Sequence, residues 1–579
     1  MFPVRRLRCR IPGPLRCLQT TECKKKRFKP FFLRFRNNIS GKPPYMVVRD
    51  MNLQHMGEPM NRVVLFLAAW CACWQAVQSK PVVPPFESAV AFTARNRIDA
   101  FVLRKLRDAK IAPAPRCSDE VFCRRVYLDV TGTIPTPGQV RAFLADRRPR
   151  KREALIERLL KSSQFADYWS MRWSDVLRVK SEYPVNLWPN GVQAYHRWIH
   201  TALRDNVPYD QFARELLTAS GSNFRVPPVN FYRAMQGKSP ATIAQSVALT
   251  FMGTRLDTWP EDVRSGLEAL FSRVAFKGTA EWKEEIVFPD PKNTEPLTAL
   301  LPDGTTASVD AGQDPRTVFA DWLISPDNRW FTGTVVNRIW FWLMGRGIIA
   351  EPDNIRPDSP VSHPRLLAYL EEELVTARFD LRHIYRLILN SSTYQQSPIP
   401  RCSEADATHY FACYPVRQLD AEVLIDALCD ITGTQEQYSS PIPEPFTFVP
   451  ENQTSVMLAD GSISSPFLEL FGRPARDTGL LEERNNTPNR AQRLRLLNSS
   501  HIQMKIEGGP RLRLIAQASR GNRQRLITLL YMNILSRRPT ASERKAAAEY
   551  LDRAGMAQTQ KMHDLVWALI NTKEFLYRH

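Results

Sequence analysis

The sequence predicts a mainly α-helical fold, with two helical lobes joined by a short β-prone connector rich in Pro and Gly. Three observations predict it. Amphipathic helical spacing runs through residues 91–275, Pro, Gly, Thr and Asp crowd residues 276–312, and helical spacing returns over residues 313–579.

In the first helical region, "NRIDAFVLRKLRDAKI" places Ile98, Phe101, Val102 and Leu106 on one stripe, the spacing of a helix with one buried face. "VFCRRVYLDVTGTIPTPGQVRAFL" contains a stop and a restart. Gly132 ends one helix, Thr136 caps the next, Pro137 takes its first position and Gln139 closes a capping box. In "REALIERLLKSSQFADYWSMRWSDVL", Trp169 and Trp173 stand four apart on a further helix. The connector offers the β-prone "EEIVF" and a turn at Asp303-Gly304. The second helical block runs from "DPRTVFADWL" to about Tyr394, residues 439–477 are irregular and Pro-rich, and helices resume at Asn489. Thr540 with Glu543 three residues later repeats the capping device of Thr136.

Ahead of these lies "MNRVVLFLAAWCACWQAVQSKPVVPP", beginning at Met60. Arg62, the apolar run Val63–Trp74 and the small-residue site Val77-Gln78-Ser79 have the order of an export signal. The run is too short for a comfortable membrane span, which needs about 20 apolar residues. The expected organisation is therefore a signal peptide at 60–79, a linker at 80–90, a first domain at 91–275, the connector at 276–312 and a second domain at 313–579. Residues 1–59 read as a basic arm or as sequence upstream of the true start at Met60. The location expected is secreted, periplasmic or cell-envelope, with no transmembrane anchor after cleavage.

The formal charge is +20, and residues 1–59 supply 14 Lys/Arg against 3 Asp/Glu. The excess beyond them is modest and reads as spread along the chain. A nucleic-acid partner is not expected. Five of the ten cysteines precede Lys80; of the others, Cys117 with Cys123 and Cys402 with Cys413 are the nearest pairs that an oxidising compartment could join.

Few residues advertise chemistry. His196 and His200, four apart, share a helix face with metal-ligand spacing, but Arg197 stands where a His-Glu-x-x-His motif needs Glu, so a surface histidine pair is the plainer reading. His363 precedes Pro364 at a helix start, and His383 falls within a helix. Asn337 and Arg338 interrupt an apolar helix and should be buried and hydrogen-bonded. "FGRPARDTGLLEERNNTP" gathers Arg473, Arg476, Asp477, Glu482, Glu483 and Arg484. Such a cluster serves acid–base chemistry, an anionic or sugar ligand, or an internal ion-pair network that holds a loop. Phosphate-binding, dinucleotide and nucleophile-elbow motifs are absent from the sequence, as is any Cys-x-x-Cys.

"RRVYLDVTGTIPTPGQVRAFLAD", "LIERLLKSSQFADYWSMRWSDVLR" and "NVPYDQFARELLTASG", followed by "DPRTVFADWLISPDNRWFTGTVVNRIWFWLMGRGIIAEPDN", "FGRPARDT" and "RLRLLNSSHIQ", resemble in order a secreted two-domain family of unknown function (the PSCyt/PSD type). It is abundant in planctomycetes and often associated with cytochrome-c-like domains. The resemblance covers nearly all of residues 91–579 and implies export but no defined activity. Where other members carry Cys-x-x-Cys-His, this chain runs from Leu256 through Asp257 and Thr258 to Trp259; where they carry Cys-x-Cys-Glu-Arg, it has Leu480-Leu481-Glu482-Glu483-Arg484. The resemblance thus implies a divergent member without covalent haem c, and no cofactor is expected. The expected role is a binding or scaffold module for a secreted protein or a polysaccharide. The alternative is a secreted hydrolase or redox enzyme working through residues 473–484.

Overall fold

Helix α1 (Arg97–Asp108) buries Ile98, Val102 and Leu106 completely, as their spacing predicts, with Asn96 and Asp99 forming a capping box at its start. Asp99 also works across the molecule: its carboxylate accepts the backbone N–H of Ser392 at 2.9 Å and of Thr393 at 2.8 Å. This is the computed structural model of the chain, and it describes residues 83–579. The basic arm and the signal-like segment lie outside the described residues.

Helix α2 (Asp119–Thr131) ends at Gly132 with φ of 62°, a left-handed conformation that costs a residue with a Cβ. A Cβ there would also stand 2.5 Å from the ring of Tyr168. Thr136 and Gln139 then open α3 (Pro137–Ala145) by exchanging side-chain hydrogen bonds with each other's backbone, as the motif predicts. Helix α4 (Ser163–Val176) carries Trp169 and Trp173, and α5 (Trp188–Arg204) packs along it. Helix α6 (Pro240–Val247) runs into a π turn, Ala248–Met252, closed by Gly253.

The connector is β-structured. Strand β3 (Glu285–Pro289) pairs antiparallel with β2 (Val274–Gly278) and with the two-residue β1 (Gly221–Ser222). Strands β4 (Leu297–Leu300) and β5 (Thr306–Val309) form a hairpin at the predicted Asp303-Gly304 turn, where Asp303 accepts from the Thr305 backbone at 2.9 Å. The second helical block contains α7 (Arg329–Met344), α8 (Pro364–Thr376), α9 (Leu381–Leu389) and α10 (Ala421–Thr432). Residues 439–477 hold only one short helix, Pro466–Leu470. The C-terminal helices include α11 (Arg490–Asn498), α12 (Ser500–Gly508), α13 (Pro510–Ser519) and α14 (Arg523–Ile534). A two-residue pairing of β6 (Arg417–Gln418) with β7 (Tyr577–Arg578), too short to show a period, brings the last residues back to the centre.

The two helical regions do not form separate lobes. The described residues, 83–579, belong to one compact unit. Trp342 of α7 packs against Trp169 and Trp173 of α4, with ring centroids at 5.4 and 5.6 Å. Arg124 of α2 donates to the carbonyls of Ile534 and Phe575, and Arg125 to those of Tyr394 and His579. Helical periodicity specifies which face is buried but not which helix covers it; here each region buries its stripes against the other. Cys117, Cys123 and Cys413 are thiols, so neither pairing offered by sequence proximity is formed. No helix among the described residues is long and apolar enough to cross a membrane.

Candidate functional site at the junction of the two helical regions

The polar stretch after Phe471 wraps over the end of α4. Arg476 adopts a left-handed backbone, φ 62°, which aims its guanidinium into the core. There Nε donates to Asp175 of α4 at 2.9 Å and Nη1 to the Ala459 carbonyl at 2.6 Å. Arg484 is the hub. Its Nε donates to the other oxygen of Asp175 at 2.9 Å, and its two Nη atoms form a bidentate pair with Glu422 of α10 at 2.7 and 3.0 Å. Arg473 lies behind, with Nε 3.3 Å from Glu422 and Nη2 donating to the Asp460 carbonyl.

A second layer is built around Asp420, which precedes α10. It accepts from Asn486 at 2.7 Å, from the Tyr168 hydroxyl at 3.0 Å and from Arg578. Arg578 also pairs with Asp129 of α2 at 3.2 Å, and Asp129 accepts the hydroxyls of Tyr394 and Tyr414 at 2.8 and 2.7 Å. The Gly132 close approach fixes the ring of Tyr168 against this layer.

The charges do not balance. Six guanidinium groups (Arg172, Arg417, Arg473, Arg476, Arg484, Arg578) meet four carboxylates (Asp129, Asp175, Asp420, Glu422). Burial alone would raise the pKa of Asp420, but Arg172, Arg578 and Arg484 outweigh it and hold the carboxyl well below its ordinary range. Glu422 is held down in the same way, its burial outweighed by Arg484 and Arg473. Burial, reinforced by Arg476, lowers Arg473 to about 10.

A cleft of about 680 Å³ opens onto this network, walled by Arg172, Asp175, Trp342, Arg417, Asp420, Arg484 and Arg578. That volume suits a small organic ligand. Arg172 is its distinctive member. Its side chain is 10% exposed and its one ion pair, to Asp420, is 3.5 Å long. The guanidinium donates no hydrogen bond among the described residues; Nε is sealed in protein, and the side chain lines the cleft.

The structure brings together Arg473, Arg476 and Arg484 of the sequence candidates. Glu483 points elsewhere, accepting the backbone N–H groups of Asp477 and Thr478 at 2.9 and 3.2 Å and so tying its own loop. Asn337 pairs with both backbone groups of Ile349 at 3.0 Å. Arg338 donates to the Thr250 and Leu249 carbonyls of the π turn and pairs with Asp353 at 3.2 Å. Both are buried and hydrogen-bonded, as expected of polar residues in an apolar helix. His363 stands at the N-cap position of α8 without a capping hydrogen bond, its ring against Phe411 and outside the lining of the cleft, and burial lowers it to about 4.

His196 and His200 share a face of α5, but they are not a surface pair. His196 is buried and lowered to about 3, first by burial and then by Arg476, whereas His200 pairs with Asp167 at 2.8 Å. Among the described residues no cluster of three or more His, Cys, Asp or Glu is arranged to hold a metal. Sequence reading missed Arg172, Asp175, Asp420, Glu422 and Arg578. The available signal was charge on otherwise apolar faces, as in "YWSMRWSDVL" and "QLDAEVLIDAL".

Two family models match the chain. PSCyt2, a protein of unknown function (DUF1549), covers residues 97–258, and PSD1, a protein of unknown function (DUF1553), covers residues 315–551. The chain belongs to the PSCyt2–PSD1 family, the planctomycete-type pair of domains of unknown function. No curated protein and no solved structure matches it. The cleft is therefore a junction site: Arg172 and Asp175 lie in the PSCyt2 domain, and Asp420, Glu422 and Arg484 lie in the PSD1 domain. The segment after the π turn and the loop at 480–484 also touch. Arg255, just before Leu256, pairs with Glu482 at 3.0 Å, and the Leu481 N–H donates to Asp353 at 2.5 Å.

Proposed function

We propose that the protein is an exported or envelope-associated binding module that takes a small acidic ligand in the junction cleft. The observation that carries this reading is the open guanidinium of Arg172 above a buried network with two more cations than anions. A surplus of buried cations is costly, and an anionic ligand supplies the missing counter-charge. Phe341, Trp342 and Tyr577 along the cleft add aromatic surface suited to a sugar ring, which favours an acidic saccharide. The contact between Arg255 and Glu482 supports the further reading that the two cysteine motifs of other members adjoin, and that this chain has replaced their thiol-based metal or haem site with an ion pair.

The hydrolase or redox alternative draws less support. Asp420 and Glu422 are held ionised by their arginines, which suits charge balance and not proton donation.

Calorimetric titration with trigalacturonate, and with maltotriose as the neutral counterpart, tests the proposal. Binding of the acidic trisaccharide alone is expected, weakened at least tenfold in Arg172→Met and partly restored in Arg172→Lys. Equal binding of both sugars, or full binding by Arg172→Met, would overturn it.

A further inference from the structure

The positive charge of the folded region is not spread along the chain. Residues 83–579 carry 63 Lys/Arg and 56 Asp/Glu, while the short stretch 490–525 alone holds 9 Lys/Arg against a single acid, Glu507. Outside that stretch the described chain is close to neutral. The stretch comprises α11, α12, α13 and the start of α14.

These cations are largely uncommitted. Lys505 pairs with Glu436, and Arg523 with Asp552. Arg490, Arg493, Arg513, Arg520 and Arg525 are exposed and enter no ion pair among the described residues. Apolar side chains stand among them in the open: Leu494 is 59% exposed, Met504 63% and Leu514 62%. On α11 the order Arg490, Arg493, Leu494, Leu497 is i, i+3, i+4, i+7, so cations and leucines share one outward face. Inward residues of the same helices, Leu496, Ile502, Ile506 and Leu512, are buried, so these helices have a core face apart from the outward leucines. Helices α12 and α13 both pack on α10.

We infer that this face docks the protein on an anionic lipid bilayer, lying in the headgroup region without spanning the membrane. Charge complementarity selects an anionic partner, since like charges so dense otherwise repel one another. The exposed leucines and methionine select among anionic partners. An acidic polysaccharide or nucleic acid neutralises arginine but offers no apolar phase, whereas a bilayer surface offers both, as interfacial amphipathic helices exploit. The docking face is built from α11–α14 and does not include the residues that wall the junction cleft.

Co-sedimentation of the full chain with vesicles tests this, comparing phosphatidylcholine alone with phosphatidylcholine containing a quarter phosphatidylglycerol. At least tenfold greater partition onto the anionic vesicles is expected, falling steeply in 0.5 M NaCl. Two full-chain variants localise it: Arg490→Glu with Arg493→Glu, and Leu494→Ser with Leu497→Ser. All four positions are exposed, so both variants should fold. Each is expected to reduce partition, the charge reversal by about tenfold and the serine pair by about threefold. Unchanged partition in both variants would overturn the inference and place the interaction elsewhere in the chain. Loss in the charge variant with none in the serine variant, together with equal capture by polygalacturonate, would overturn it in favour of an acidic polymer.

Discussion

Arg578, on the last strand, joins Asp129 of α2 at 3.2 Å to Asp420 at the start of α10, so one guanidinium neutralises two fully buried carboxylates from the two family domains. Burial lowers the pKa of Arg578, but Asp420, Tyr168 and Asp129 more than reverse it and hold the group well above its ordinary value. Replacing it by Met leaves Asp129 only the more distant Arg417, at 3.8 Å, and Asp420 only Arg172 and Arg484, at 3.5 and 3.9 Å. Loss of one partner of a buried pair costs about 3–5 kcal/mol. Urea unfolding of Arg578→Met should show a loss of that size, and a second change, Asp129→Asn, should add less than its own single effect because the two share one interaction.

Glu483 illustrates how a sequence candidate becomes a structural tie. Its carboxylate accepts from the Asp477 and Thr478 backbones and from the Thr478 hydroxyl at 2.8 Å. Glu483→Gln keeps the shape but replaces charge-assisted hydrogen bonds by weaker ones. Stability should fall by about 1–2 kcal/mol. Binding of acidic saccharide should stay within twofold of wild type, because Glu483 does not line the cleft. Calorimetry and urea unfolding of the same variant check both statements.

Local devices were legible in the sequence, and long-range ones were not. The caps at Thr136 and Thr540, the Gly132 stop and the Asp303-Gly304 turn each depend on residues within four positions of one another, so pattern alone located them. The cleft depends on Arg476 meeting Asp175 across 301 positions and Arg578 meeting Asp129 across 449. Nothing in either segment names its partner. Arg484 was found because its neighbours in sequence are also charged; Arg172 was missed because it stands between two tryptophans and reads as a break in a core stripe. The single compact unit was equally invisible, since an apolar face is satisfied by any other.

Three buried histidines set the acid response. His196 and His579 are lowered to about 3 and His363 to about 4, in each case chiefly by burial. Their ordinary value is 6.5, so between there and pH 4 the unfolded chain binds protons that the folded chain refuses. The stability they contribute is complete above pH 6.5 and is lost as pH falls. Asp426 works the other way. Burial raises it to about 6, so it favours the folded state at low pH and loses that contribution as pH rises from 3.8 through 6. The balance is about two protons near pH 5, a slope of roughly 2–3 kcal/mol per pH unit. Urea unfolding from pH 7 to 4.5 should show this decline, and His196→Gln should make it shallower.

Arg338 tests whether the π turn and the loop over the cleft are coupled. Its Nη atoms donate to Thr250 at 2.8 Å and Leu249 at 3.2 Å, carbonyls that a π turn leaves without their usual helical partners. The same guanidinium pairs with Asp353, whose other oxygen accepts the Leu481 N–H, one residue before Glu482. Arg338→Met strips the turn of its donors and leaves Asp353 as a buried anion held by one backbone N–H. A loss of about 3–5 kcal/mol is expected. If Asp353 transmits the change, hydrogen exchange at the Leu481 amide should accelerate by more than the global loss of stability accounts for, and acidic saccharide should bind more weakly. If exchange at Leu481 rises only in step with global unfolding, Arg338 stabilises the turn alone and the loop over the cleft is positioned independently by Arg484.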